Sequence, residues 1–92
     1  MTDPLAALRE RFRARTVADR VELERLAGGD PTGEDLRRLV HNLAGAAGTF
    51  GYGALSQAAA EIDDQMAAGR PAEAASLDRL KQKLDEVGGP AS

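Results

Sequence analysis

The stretch that decides the fold is Leu36-Arg37-Arg38-Leu39-Val40-His41-Asn42-Leu43-Ala44-Gly45-Ala46-Ala47-Gly48-Thr49-Phe50-Gly51. Its apolar residues recur at the i, i+3, i+4, i+7 spacing of one buried helical face, and they are Leu36, Leu39, Val40, Leu43, Ala47 and Phe50. At roughly 100° per residue, His41 points about 150° away from the centre of this stripe. The pattern therefore predicts a helix over about residues 33–50 that carries the single histidine of the chain on its outer face.

Two glycines share the outer face with His41, Gly45 at i+4 and Gly48 at i+7. Each glycine inside a helix costs about 1 kcal/mol relative to alanine, so a pair on an exposed face needs a reason. One interpretation is that another surface must approach the imidazole, which is a nucleophile near pH 7 when neutral. Two others stay open: His41 is only a solvated surface residue, or the glycines let a neighbouring helix pack closely.

The run from His41 to Gly51 resembles the signature of histidine-containing phosphotransfer (HPt) domains. That signature is a histidine followed by an apolar residue at +2, lysine at +3, glycine at +4, small residues and a further glycine. The resemblance continues on the following helix through Leu55, Ala58 and Ile62. Since these domains are all helical and of this size, we expect one HPt-like domain over residues 1–92.

Ala44 departs from the signature, because the family commonly has lysine at this position. A cation there would help to offset the charge of a phosphoryl group, so its absence puts the rate or stability of phosphorylation in question. Arg37 and Arg38, one turn earlier, are candidates to contact the phosphate or the partner instead. They are poorer substitutes, because helical side chains lean toward the N-terminus and these two therefore lean away from His41.

The resemblance implies a phosphorelay intermediate of two-component signalling. His41 would accept a phosphoryl group on Nε2 from the phospho-aspartate of a response-regulator receiver domain and pass it to another receiver, with a hybrid histidine kinase as a further partner. Gly45, Gly48 and Ala44 would lie at the contact surface. The receiver would supply Mg²⁺, and this chain would need no cofactor of its own and, with no ATP-binding motif, would not be a self-sufficient kinase.

Two other functions remain open. A non-phosphorylated HPt-like adaptor would bind receivers or another signalling partner without carrying phosphate, and Ala44 favours it. A helical dimerisation domain with an incidental histidine would associate through Gly45 and Gly48, and these glycines should then not face solvent in the monomer.

Composition excludes several classes of protein. Twelve basic and 15 acidic residues give a net charge of −3, which argues against nucleic acid as the main partner. With no cysteine and one histidine, the chain has neither a disulfide framework nor an ordinary zinc site. No apolar run approaches the roughly 18 residues of a membrane span, and no signal peptide is recognisable. We therefore expect a cytoplasmic protein without metal, and a monomer because the predicted outer surfaces are polar.

The segment before the site helix, about residues 4–27, is the least clear. Leu5, Leu8 and Phe12 form an apolar stripe, and the arginines interleaved with it are either a docking patch for an acidic partner or a solvated face; they are Arg9, Arg11, Arg13 and Arg15. Thr16 to Asp19 has the form of a capping box, which would start a second helix with Val17, Val21 and either Leu23 or Leu26 on its apolar face. The sequence leaves open one bent helix or two short ones.

The remaining segments predict an all-α, antiparallel four-helix bundle. Thr32 is the expected N-cap of the site helix. A third helix over about residues 53–68 has a stripe of Leu55, Ala59, Ile62 and Met66, and a last helix opened by Pro71 has Leu77, Leu80, Leu84 and Val87. Three acids on the third helix are interpreted as solvation, with no visible convergence on His41; they are Glu61, Asp63 and Asp64.

Overall fold

The computed structural model describes residues 3–89, and these form an all-α bundle of four helices measuring 48 × 27 × 19 Å. The helices are α1 (Pro4–Gly29), α2 (Glu34–Thr49), α3 (Gly53–Ala67) and α4 (Ala74–Gly88). Neighbouring helices run antiparallel, with α2 packed chiefly on α3 and α1 chiefly on α4. The predicted fold class is therefore confirmed. Within the described residues, no helix combines the length and the apolar character needed to cross a membrane.

The core is built from the stripes that the sequence predicts for α2, α3 and α4. Leu36, Val40, Leu43 and Ala47 of α2 are buried, while Leu39 and Phe50 are partly buried against the core. All four stripe residues of α3 are buried, as are Leu77, Leu80 and Leu84 of α4. Burial of each large aliphatic side chain contributes about 1.5–3 kcal/mol, which makes this contiguous cluster the main source of stability.

The first helix is continuous from Pro4 to Gly29, so the capping-box interpretation of Thr16 is wrong. The Thr16 hydroxyl donates to the Arg13 carbonyl at 2.6 Å, and Thr16 is buried where α1 meets Gly88 of α4. Because the helix does not break, its phase is set by Phe12 and Leu23, which both face the core. Val17 and Val21 consequently lie outside, 53% and 66% exposed, so the predicted apolar face is wrong for these two residues. It is confirmed for Leu23, which is buried, and Leu26 is partly buried.

Two predicted helix starts are also corrected. Gly33, not Thr32, is the N-cap of α2, and the Thr32 hydroxyl donates to the Asp30 carboxylate instead. The last helix begins at Ala74 rather than at Pro71. The segment before it is extended because the Ala72 N–H donates to the Pro31 carbonyl at 3.0 Å, which ties this loop to the one between α1 and α2.

A tight turn joins α2 to α3. Gly51 has φ +84°, a conformation that favours glycine, and the Tyr52 N–H donates to the Ala47 carbonyl at 2.9 Å. This pairing closes the C-terminus of α2 in the manner of a Schellman motif. The short connection sets the two helices side by side in a fixed register.

The N-terminal two turns of α1 extend past the end of α4. Gly88 ends α4 beside Thr16, and Phe12 stacks on Phe50 and Tyr52 at the end of α2. Leu5 and Leu8 share the phase of Phe12, yet they are 49% and 43% exposed because α4 does not reach them. The apolar stripe of α1 that includes Phe12 thus continues beyond the end of α4.

Candidate functional site

His41 lies on the outer face of α2, with 72% of its side chain exposed. Gly45 and Gly48 are also exposed on this face. The two glycines are not equivalent, however. A Cβ at Gly45 would meet nothing within 4 Å, whereas a Cβ at Gly48 would lie 3.4 Å from the Ser56 hydroxyl of α3. Clearance next to His41 is therefore a property of Gly45, while Gly48 lies against the neighbouring helix.

The imidazole of His41 has one specific partner, the carboxylate of Asp63 on α3. Nδ1 of His41 lies 3.0 Å from Oδ2 of Asp63. An ionised carboxylate only accepts hydrogen bonds, so Nδ1 must carry the hydrogen in this pair. The neutral ring then has its lone pair on Nε2, and Nε2 is the nitrogen left free by this contact. The arrangement orients the ring and fixes the tautomer that can act as a nucleophile.

Asp63 is the functional residue that the sequence reasoning missed. From the sequence alone it is interpreted, with Glu61 and Asp64, as solvation, with no visible convergence on His41; the contact with His41 corrects that interpretation for Asp63. A signal was available in the numbering, since His41 and Asp63 each lie eleven residues from Tyr52, the centre of the α2–α3 turn. In an antiparallel hairpin, positions equally distant from the turn lie at the same height.

The other two acidic residues of α3, Glu61 and Asp64, have surroundings different from those of Asp63. Glu61 accepts from the Ser76 hydroxyl at 3.0 Å and pairs with Arg79, so its carboxylate is directed toward α4. These two hydrogen bonds hold the pKa of Glu61 below its usual value, and the one from Ser76 has the larger effect. Asp64 is exposed. Across residues 3–89, no three histidine or acidic side chains are grouped so that they could hold a metal ion.

Two arginines border the histidine. Nε of Arg37 lies 3.6 Å from Oδ1 of Asp63, so a single carboxylate contacts both Arg37 and His41. Arg38 pairs with Asp35 on its own helix at 3.6 Å. Together with Glu34 and His41, the two arginines line an open depression of about 250 Å³. The depression therefore has two guanidinium groups and one carboxylate at its edge, and it is open to solvent.

Ala44 is half-buried on the α3 side of the histidine. Its carbonyl accepts from the Ser56 hydroxyl at 2.8 Å, so its backbone helps to fix α3 against α2. The methyl group brings no charge to the site. Arg37 is therefore the cation that reaches the carboxylate partner of His41, from the turn before the histidine rather than the turn after it.

The chain was compared with known proteins. A family model described as "Hpt domain" matches residues 7–89, a range that contains every residue of the site. Neither a curated protein nor a solved structure matches the chain.

Proposed function

The chain belongs to the Hpt domain family, and from this membership we propose that it is a phosphorelay intermediate in which His41 carries the phosphoryl group. Membership itself implies involvement in phosphorelay signalling. The observation that carries the assignment of His41 is its geometry: an exposed imidazole whose Nδ1 is occupied by Asp63 and whose Nε2 is left free, with no side chain one turn further along α2 at Gly45.

The transfer needs no proton movement on this chain. The Nε2 lone pair of His41 attacks the phosphorus of a receiver's phospho-aspartate, the N–P bond forms, and the aspartate carboxylate leaves with the electrons of the broken P–O bond. The ring becomes positively charged with its hydrogen still on Nδ1, where the Asp63 carboxylate offsets that charge. Attack by the aspartate of a second receiver breaks the N–P bond and returns the neutral ring.

In this proposal both proteins contribute cations that stabilise the charge of the transferred phosphoryl group. Phosphoryl transfer depends mainly on positioning and on cations around the phosphoryl oxygens. Arg37 and Arg38 border the open depression at His41 and take the part that lysine at position 44 would have. The partner receiver supplies Mg²⁺ and the remaining groups. An open site of this kind suits a carrier, because an enzyme acting on a small molecule would enclose its substrate.

The adaptor function is the second candidate, and Ala44 is the observation that favours it. An adaptor would bind receivers through the same face without forming phosphohistidine. Binding and labelling must therefore be measured separately.

The test is label transfer from a phosphorylated receiver of the same organism, with Mg²⁺, followed on a phosphate-affinity gel. We expect the wild-type chain to acquire a label that is labile in acid and stable in alkali, and His41→Gln to acquire none. Phosphoramidate serves as a small donor that needs no docking. Receiver binding without transfer of label from the receiver, while phosphoramidate labels the exposed ring, would contradict the carrier and leave the adaptor.

A further inference from the structure

The two oxygens of the Asp63 carboxylate are not equally satisfied. Oδ2 lies 3.0 Å from Nδ1 of His41, whereas Oδ1 is buried and accepts no hydrogen bond within residues 3–89. Nε of Arg37 lies 3.6 Å from Oδ1, which is close enough for an ion pair and too far for a hydrogen bond. A buried carboxylate oxygen without a hydrogen bond costs free energy. The contact of Arg37 with Asp63 is therefore a loose one, which the guanidinium can leave for a better partner.

Arg37 and Ala44 lie on the same edge of α2. They are seven residues apart, so they differ by only about 20° around the helix and by about 10 Å along it, with His41 between them. This edge faces α3, because Asp63 contacts Arg37 and the Ser56 hydroxyl donates to the Ala44 carbonyl. Four residues apart on one helix, Arg37 and His41 have a Cβ separation of about 5–6 Å. Arg37 thus approaches the imidazole along the edge on which a side chain at position 44 would also lie.

Arg38 borders the same depression at a different angle. It is displaced from Arg37 by about 100° around the helix. Its ion pair is with Asp35 of its own helix, at 3.6 Å, and the two side chains are 65% and 75% exposed. In the described part of the chain, Asp63 forms ion pairs with Arg37 and His41 and none with Arg38. Arg37 is therefore the arginine that connects the depression with the partner of the imidazole.

Phosphorylation changes which group needs the cation. While the ring of His41 is neutral, Arg37 is the cation paired with the Asp63 carboxylate. After transfer the ring is positively charged, with its hydrogen still on Nδ1, and the ring itself then offsets the charge of Asp63. The phosphoryl oxygens carry negative charge and match the planar fork of a guanidinium, which can donate two hydrogen bonds to them. The balance of charge therefore favours Arg37 on the phosphoryl group once transfer has occurred.

Resting on the proposed function, we propose that Arg37 exchanges partners as the phosphoryl group arrives and leaves. In the resting chain its guanidinium holds Asp63, and in phosphohistidine it binds the phosphoryl oxygens while the charged ring pairs with Asp63. The exchange itself breaks no covalent bond and moves no proton. Arg37 is thus a positioning residue before transfer and a phosphoryl ligand after it. Because the contact with the phosphoryl group is the stronger one, Arg37 raises the share of phosphoryl groups that His41 holds at equilibrium with a receiver.

The first measurement follows the Nε–H signal of Arg37 by ¹⁵N NMR, before and after His41 is phosphorylated with phosphoramidate. The signal is assigned by its absence from Arg37→Gln. We expect it to move on phosphorylation of the wild-type chain. In Asp63→Asn we expect its resting position to differ from that of the wild type, and its position after phosphorylation to be the same. A signal that stays in place when the wild-type chain is phosphorylated would overturn the exchange.

The second measurement is the equilibrium ratio of phosphohistidine to phosphorylated receiver, with Mg²⁺, for variants that circular dichroism shows to be folded. The ratio compares free proteins, so it does not depend on docking. We expect Arg37→Gln to lower it about tenfold and Arg37→Lys to lower it less, because lysine keeps the charge without the fork. The control is Arg25→Gln, which removes a guanidinium paired with Glu22 on α1 and should change the ratio by less than about twofold.

A double-mutant cycle separates exchange from a permanent contact. Asp63→Asn removes the resting partner of Arg37, so in that variant Arg37→Gln loses only the contact with the phosphoryl group and should lower the ratio more than it does in the wild type. An equal or smaller effect in Asp63→Asn would overturn the exchange. So would an effect of Arg38→Gln as large as that of Arg37→Gln, because Arg38 has no ion pair with Asp63 in the described residues.

These outcomes are distinct from failure of the phosphorelay function. If that function were wrong, no label would pass between His41 and any receiver, whereas phosphoramidate would still supply phosphohistidine for the NMR measurement, which tests the exchange alone. If only the exchange were wrong, receivers would transfer label to His41, and Arg37→Gln would behave as Arg25→Gln does or have an effect that is independent of Asp63.

Discussion

Asp63 orients the imidazole of His41 through one hydrogen bond. Of the site residues anticipated from the sequence, His41, Gly45 and Gly48 were placed on the correct face by helical phase alone. Asp63 could not be found this way, because its role depends on the register between two helices and not on its own helix. Its neighbours Glu61 and Asp64 have the same charge and different tasks, so composition does not separate the three.

Replacing Asp63 with asparagine should slow the transfer step. The amide has no charge to offset the phosphorylated ring and can also donate, so the Nδ1 hydrogen is no longer enforced. We expect label transfer from the receiver to fall about 10- to 100-fold, with an unchanged dissociation constant for the receiver. The check is a single-turnover rate measured beside binding. Asp64→Asn is the matched control, and an equal loss in that variant would contradict the positioning role of Asp63.

Gly45 is expected to lower the stability of the fold while leaving space for a receiver beside His41. Alanine at this position meets no atom within 4 Å, so Gly45→Ala is expected to raise the free energy of unfolding by about 1 kcal/mol. The added methyl group stands one turn from His41, and we expect it to slow transfer from a receiver while leaving phosphoramidate labelling intact. Denaturant titration and label transfer measure the two effects. A stabilised variant with unaltered receiver kinetics would mean that the clearance at Gly45 has no function.

Among the elements, α3 and α4 are joined by a buried polar network. Gln65 is the centre: its Nε2 donates to the Ser76 hydroxyl at 2.8 Å, and its Oε1 accepts from the Glu73 N–H at 3.0 Å. Ser76 donates in turn to Glu61, which also pairs with Arg79. The network satisfies the backbone at the start of α4, where no side chain caps the helix. This explains why the helix begins at Ala74 and not at Pro71.

The network makes the stability of the bundle depend on pH. The pKa of Glu61 is lower in the folded chain than its usual value of 4.5, so its carboxylate stabilises the fold above that pH, and this contribution is lost as pH falls through the folded pKa. Glu61→Gln should therefore lower the melting temperature at pH 7, and the deficit should be smaller at pH 3, because the contribution of the wild-type carboxylate is lost as the pH falls through its lowered pKa. Melting curves at both values test this, with Asp64→Asn as the control. A deficit of equal size at pH 3 would contradict the electrostatic origin.

How well an element could be predicted depended on how its apolar residues are distributed. In α2, α3 and α4 a single stripe is apolar, and period and turn residues located these helices within a few residues. In α1 apolar side chains occur on both sides, Leu5 and Leu8 with Phe12 on one and Val17 and Val21 on the other. The spacing of the apolar residues is then compatible with more than one buried face of α1. Thr16 is buried and its hydroxyl donates a hydrogen bond within its own helix, but the sequence around it resembles a helix start.

For the whole molecule, the bundle consists of two helix pairs with different tasks. All residues of the site lie on α2 and α3, whereas α1 and α4 cover the opposite side of the core. Only α1 extends past the others, and this overhang leaves Leu8 and Arg11 at the edge of an open groove beside Phe50. A prediction of four helices alone does not contain this asymmetry, because it arises from the unequal lengths of α1 and α4.

The tight turn at Gly51 and Tyr52 has a consequence for how such a chain can change by insertion and deletion. One residue added between Thr49 and Gly53 would displace Asp63 from His41, so this connection does not tolerate a change of length. The loop from Ala68 to Glu73 lies outside that constraint. The stretch from Glu34 to Ala67 is therefore the unit to transplant into another helical scaffold if phosphoryl-accepting chemistry is to be moved with it.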